Sequence, residues 1–274
     1  MRKTFAEVLR QADIDVAAEY RSLCTMFFTN YFMSSFGSVC PYKAIASEFS
    51  NMDIRGTAVS ISDFNERYGF HFQERPAGSI DVDCLVLLCE YITNMLISYC
   101  RVPGDNALYS YSWRSKLEEQ IERVIERIGY ERISDGSLVS YVEKSPAARL
   151  VAETLPDQIS YKVIEYNHHS MKGNLDKKRA TLNELAKLLE PRRSKLKAID
   201  GNLESKLFNA FNNCDIRHNN RDCSGKSFKE VVAALDDREI ETVYDATYVL
   251  CLIAFLKLDN DEHFEALNEL LSNL

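Results

Sequence analysis

The chain has 274 residues, 46% hydrophobic and 27% charged, a globular balance that excludes extended disorder and bounds it at one or two domains. Its net charge of −8 excludes recruitment of nucleic acid by the molecule as a whole, and its 10 Gly and 6 Pro disfavour a turn-rich β architecture. The eight Cys show no CxxC or zinc spacing, and the longest apolar run, Tyr248–Leu256, falls short of the roughly 20 residues of a membrane span.

Thr4–Asn30 is predicted helical, with Phe5, Val8, Leu9 and Ala12 on one stripe that Tyr20, Leu23, Cys24 and Phe27 continue. Gly37–Gly56 lacks a period and reads as loop with a short helix. Ser60–Tyr68 opens on a Ser N-cap, and Ile80–Tyr99 is apolar around most of its circumference, as a buried helix must be. Pro103 and Gly104 break that helix, and an amphipathic segment, Tyr109–Ile128, follows and ends at Gly129. Tyr130–Ser134 and Leu138–Glu143 flank Asp135-Gly136 as the one convincing strand pair.

Ser145 and Pro146 are an N-cap and first-turn pair opening Ala147–Leu155. Ile159–Ser170 and Leu175–Leu189 are predicted helices separated by Lys172-Gly173-Asn174, the second with its Leu inward and its Lys and Arg outward. Past Pro191, one helix carries Leu196, Ile199, Leu203, Leu207, Phe208 and Phe211, and Asp237–Leu258 and Glu262–Leu271 complete the chain. The expected architecture is mainly α: a multi-helix amino-terminal region (1–125), a β-hairpin connector (126–145) and a carboxy-terminal helical bundle (146–274).

The polar knot Phe208–Asp222, FNAFNNCDIRHNNRD, sits where a helix ends abruptly. Arg217 offers a planar cation suited to phosphate oxygens, and His218 an imidazole suited to proton transfer near neutrality. Asn212, Asn213, Asn219 and Asn220 are also residues that bond their own backbone at helix ends and turns, and an ion pair with Asp215 or Asp222 is the structural role open to Arg217. Charge is uneven: Asp176–Asp200 holds eight Lys or Arg against four acids, while Glu230–Leu274 holds eleven acids against Arg238 and Lys257. The basic run is either a contact face beside the knot or merely a solvated helix surface. No phosphate-binding glycine loop, HExxH, GxSxG or EF-hand pattern is present.

A helix ending in Asn-Asn, then Ile-Arg-His-Asn-Asn, a polar loop and a long apolar final helix resembles the core of the HEPN superfamily of bacterial defence and toxin proteins. EYNHHSMKGNLDKKRATLNELAKLLEP (165–191) and the preceding hairpin resemble carboxy-terminal halves of abortive-infection proteins, and the likeness covers roughly residues 125–258. The resemblance implies an antiphage effector, dimeric, with metal-independent ribonuclease activity and no cofactor, and the cysteine pattern with the short apolar run points to a reduced cytoplasmic compartment. It places Arg217, His218, Asn213, Asn219 and Asn220 as catalytic and His168, His169, Lys172, Arg192, Arg193 and Arg221 as substrate-binding. RNA, a second copy of the chain and a partner protein encoded nearby are the implied associates, with no membrane. The sequence departs from the family pattern at one point: the His several residues beyond the Arg is absent, and the one in the knot is adjacent, at 218. That departure implies the alternative, a non-catalytic module binding a partner protein, nucleotide or RNA.

Overall fold

The computed structural model describes residues 14–34, 37–103 and 106–272, which form a mainly α protein with two short strand pairs. The stripe Phe5, Val8, Leu9 and Ala12 lies outside the described residues. The chain divides into two compact units, Met1–Tyr141 and Val142–Leu274. The hairpin expected as a connector packs into the core of the first unit as far as Tyr141.

The first unit contains α1 (Val16–Cys24), a π turn continuing it over Thr25–Thr29, strands β1 (Phe32–Ser34) and β2 (Gly37–Val39), helices α2 (Pro41–Glu48), α3 (Ile61–Tyr68), α4 (Val82–Arg101) and α5 (Asn106–Arg127), and the hairpin β3 (Tyr130–Asp135) and β4 (Leu138–Glu143). The pair β1–β2, with Phe32 opposite Val39, lies where sequence periodicity gives no strand signal. Ser60 Oγ caps α3 by accepting the Asp63 N–H, and Gly129 and Gly136 take the positive φ demanded after α5 and in the hairpin turn.

Helix α4 is long and apolar enough to cross a membrane by length and composition, yet most of it is buried against α1, α2 and α5. Its polar residues at i, i+3 and i+4 dock the hairpin. The Asn94 amide exchanges two hydrogen bonds with the Val139 backbone (2.7 and 2.8 Å), Glu90 accepts the Tyr141 N–H, and the hydroxyls of Thr93 and Tyr141 meet at 3.0 Å. Each buried polar group thus has a partner, which offsets its desolvation.

The second unit contains α6 (Pro146–Glu153), α7 (Asp157–Glu165), α8 (Leu175–Leu189), α9 (Arg193–Ile199), α10 (Gly201–Asn213), α11 (Glu230–Ala233) and α12 (Asp237–Ser272). Helix α12 is the axis, packing on α6, α8, α9 and α10. Three boundaries differ from expectation for identifiable reasons. Helix α7 stops at Glu165, because His168 forms a β-bridge with Val142 and Asn167 accepts the Glu143 N–H. The helix expected to run through to Phe211 breaks at Asp200, which caps α10 through the Leu203 N–H and is held by Lys257 at 2.8 Å. Conversely, α12 runs unbroken through Asp259–Glu262, where Lys195 spans Asp261 and Glu265.

Lys178 corrects the expectation of outward-facing cations on α8. It is buried (4% exposed), with its ammonium 2.7 Å from Glu241 and 2.6 Å from Asp245 on α12 and 5.4 Å above the Tyr166 ring. Glu241 is held below the usual carboxylate range by that ammonium. A depressed carboxylate stabilises the fold above its unfolded pKa, so this contribution is complete above about pH 5 and lost as pH falls through the lowered value. Lys178→Ala is expected to cost on the order of 2 kcal/mol at neutral pH, less than a fully buried pair because Asp245 is half exposed. Chemical denaturation from pH 3 to 7 checks both parts: the variant's stability should fall less steeply with acid than the parent's.

Candidate functional site

Helix α10 ends in Asn-Asn and turns sharply because Asp215 adopts a left-handed backbone (φ 59°), a conformation Asp tolerates better than most residues. The turn is tied by Asn220, whose side chain is completely buried. Its Oδ1 accepts the Asp215 N–H at 2.8 Å and its Nδ2 donates to the Ser227 carbonyl at 2.7 Å. Its backbone carbonyl accepts the Lys229 N–H, so one residue closes the loop on both sides. Tyr244 on α12 donates its hydroxyl to the Asp215 carbonyl at 3.1 Å, and burial pushes that phenol up to about 12.

Arg179, projecting from α8, binds the other wall of the turn. Its Nε donates to the Ile216 carbonyl, its Nη2 donates to the His218 carbonyl and to Asn219 Oδ1 (2.7 Å), and Asp215 lies 3.7 Å from Nη1. Arg221 donates to Asp237 and to the Leu235 carbonyl. Together these residues wall a polar cleft of about 570 Å³, floored by the Ser170–Asp176 segment, Asp237 and Tyr244. Two helices begin at it: α8, whose N-cap Asn174 accepts the Lys177 N–H, and α12 at Asp237. Lys172, Arg179 and Arg221 face Asp176, Asp215 and Asp237 across it, so its charges balance.

The expected site residues separate. Lys172 and Arg221 line the cleft, whereas Asn219 accepts from Arg179 and Asn220 ties the turn that carries Asp215. His218 is exposed, as is Arg192. Asn213 donates to Asn209 on its own helix. His168 bonds Ser170 at the cleft edge through Nδ1 and lies 4.2 Å from the His169 ring. Arg193 pairs with the buried Glu204 at 2.6 Å and lies 4.4 Å over the Phe208 ring. Arg217 pairs with Glu190, rather than with Asp215 or Asp222, donates to the Ala186 carbonyl, and stacks near Phe208 and Phe211 at 5.8 and 5.6 Å. It joins the end of α8 to α10 as an amphipathic tie.

Sequence reasoning missed Arg179, Asp176, Asp237 and Tyr244. The one local signal was Asn174 followed by a helix, which fixes where α8 begins and hence which of the three consecutive cations faces the knot.

The tie and the loop closure give separable expectations. Arg217→Ala should lower stability by about 1–3 kcal/mol through lost charge-assisted bonds and ring contacts. Urea unfolding with a Glu190→Gln double-mutant cycle checks it, and a coupling near zero would refute the tie. Asn220→Ala leaves the Asp215 N–H and the Ser227 carbonyl without their partner, and should cost about 2 kcal/mol or more. Asn219→Ala, at an exposed position, is the control expected to cost under about 1 kcal/mol. No protein-family model, no curated protein sequence and no solved structure matches the chain.

Proposed function

We propose that the unit Val142–Leu274 is the binding module of an antiphage or abortive-infection protein, and that its cleft holds a nucleotide unit, either free or exposed on an RNA strand. The observation that carries this reading is the presence of two guanidiniums, Arg179 and Arg221, with Lys172 at the mouth of two helix N-termini. Guanidinium forks and helix N-termini both favour phosphate oxygens. The three opposing carboxylates select against a bare polyanion threading the cleft, since each would repel a phosphate. They suit a ligand that also offers donors, as ribose hydroxyls and exocyclic amines do. A cleft of about 570 Å³ is in the range of small-molecule sites. The defence role rests on the HEPN and abortive-infection likeness of residues 125–258.

One observation favours the ribonuclease reading beside it. The His218 imidazole is open to solvent on a backbone whose carbonyl Arg179 holds. In that reading the RNA 2′-hydroxyl is the nucleophile, His218 moves its proton, and Arg179 with Arg221 offsets charge on the phosphate. Arg217 acts on the fold instead. One knot imidazole per chain serves as both acid and base only if two chains meet, so this reading requires a twofold dimer.

Titration of a fluorescent mononucleotide and a short RNA with the full chain tests the binding role. Arg221→Gln with Lys172→Ala should weaken binding about tenfold or more, while His218→Ala leaves it unchanged. Binding indifferent to the double variant would sink the cleft reading. RNA incubated in EDTA tests the second: cleavage lost in His218→Ala supports it, and intact RNA at every dimer-forming concentration ends it.

A further inference from the structure

A second cleft, of about 360 Å³, lies wholly within the first unit, and its chemistry differs from that of the first. Phe28, from the π turn after α1, Tyr42 on α2, and Phe70 and Phe72, in the segment after α3, all line it. Phe28 and Tyr42 have centroids 5.0 Å apart, Phe70 and Phe72 stack at 5.7 Å with planes 10° apart, and Phe28 lies 6.4 Å from Phe72. Phe72 is sealed in the core, whereas Phe28, Tyr42 and Phe70 are only half-buried. All three also pack against the core, Phe70 stacked on Phe64 as well as on Phe72, and Phe28 on Tyr91, and their remaining exposed area meets the cleft.

Two exposed carboxylates, Glu66 and Glu74, stand at the same cleft. No Lys or Arg lines it, and neither carboxylate is in an ion pair among the described residues. Ring faces carry negative quadrupole potential, and unpaired carboxylates add to it. His71, Ser62, Asn65 and Gln73 complete the lining, so the two carboxylates are its only formal charges besides the His71 imidazole, unlike the balanced cleft of the second unit. An anionic ligand would be repelled by the carboxylates, and a purely apolar one leaves them unused.

We infer that this cleft binds an organic cation, an alkylammonium or guanidinium head enclosed by Phe28, Tyr42 and Phe70 and held by Glu66 and Glu74. The chemistry is shared by a free polyamine and by a Lys or Arg side chain of a peptide. The assignment is independent of the nucleotide reading, because it uses none of the same residues.

The test uses the full chain with ¹³C-labelled Phe and Tyr rings, titrated with tetramethylammonium and with neopentyl alcohol as its uncharged counterpart of similar shape. The cation should shift the Phe28, Tyr42 and Phe70 ring signals saturably, with the neutral compound about tenfold weaker or worse. Glu66→Gln with Glu74→Gln, both at exposed positions and without expected effect on Tm, should weaken the cation about fivefold or more while leaving the alcohol unchanged. Phe70→Leu, which keeps apolar volume but removes the ring quadrupole, should weaken it similarly. Equal binding of cation and alcohol, indifference to the double Gln variant, or no saturable ring shift would overturn the inference. Parallel titrations with spermidine and with an Ala-Ala-Lys-Ala-Ala peptide then assign the source: the tighter of the two identifies a free polyamine or a peptide side chain.

Discussion

The buried amide of Asn220 is the constraint on which the carboxy-terminal site depends. A helix that ends in a left-handed residue releases its chain in a new direction, and without a second anchor that direction would not be fixed. Asn220 supplies the anchor by joining the Asp215 N–H on one side of the loop to the Ser227 carbonyl on the other. A side-chain amide is suited to this because it presents a donor and an acceptor at once. An Asp could accept from Asp215 but would leave the Ser227 carbonyl unpaired, and its buried charge would lie near the Asp215 carboxylate. The fixed loop is what lets Arg179 find three acceptors in one stretch of backbone and side chain.

Carboxylate partners then set the places of Lys178, Arg193 and Arg217 in this unit. Lys178 is buried because α12 brings Glu241 and Asp245 to it, and Arg193 lies against Phe208 because Glu204 is buried beside it. Arg217 is withdrawn from the loop's outer surface by Glu190 and two aromatic rings. Arg179 and Arg221 differ, since each keeps its guanidinium at an open cleft while using only part of its donor capacity on the protein. A guanidinium has five donors in a rigid fork, so partial use orients it for a further acceptor. Position in the helical frame, more than residue type, separates the structural arginines from the available ones.

Much of this frame was legible in the sequence. The apolar circumference of α4, the Ser60 and Ser145 caps, the glycine after α5, the hairpin at Gly136 and the abrupt end of α10 all follow from local chemistry. The features that were not legible depend on residues far apart in the chain. Lys178 meets its acids 63 and 67 positions away, and no helical period distinguishes it from the adjacent Lys177. Asp200 breaks a helix that propensity would continue because Lys257, on another helix, holds it. Arg217 looked like a phosphate ligand for the same reason: its type was visible, and its partner Glu190 lies across the α8–α10 junction.

The two clefts extend this argument to ligand choice. In the first unit, α4 satisfies its buried polar groups through the hairpin, and the aromatic cleft carries two carboxylates and no Lys or Arg. In the second unit, three acids and three cations line the cleft, and ion pairs with Asp215 and Asp237 already hold part of the charge of Arg179 and Arg221. A ligand entering the first gains from carrying positive charge, whereas one entering the second must replace contacts on both signs. A ligand of the proposed kind, with phosphate and donor groups at fixed separation, would meet partners of both signs there. Selectivity there comes from the pairing that the loop around Asn220 imposes, because moving Arg179 by one helical turn would leave three carboxylates facing two cations.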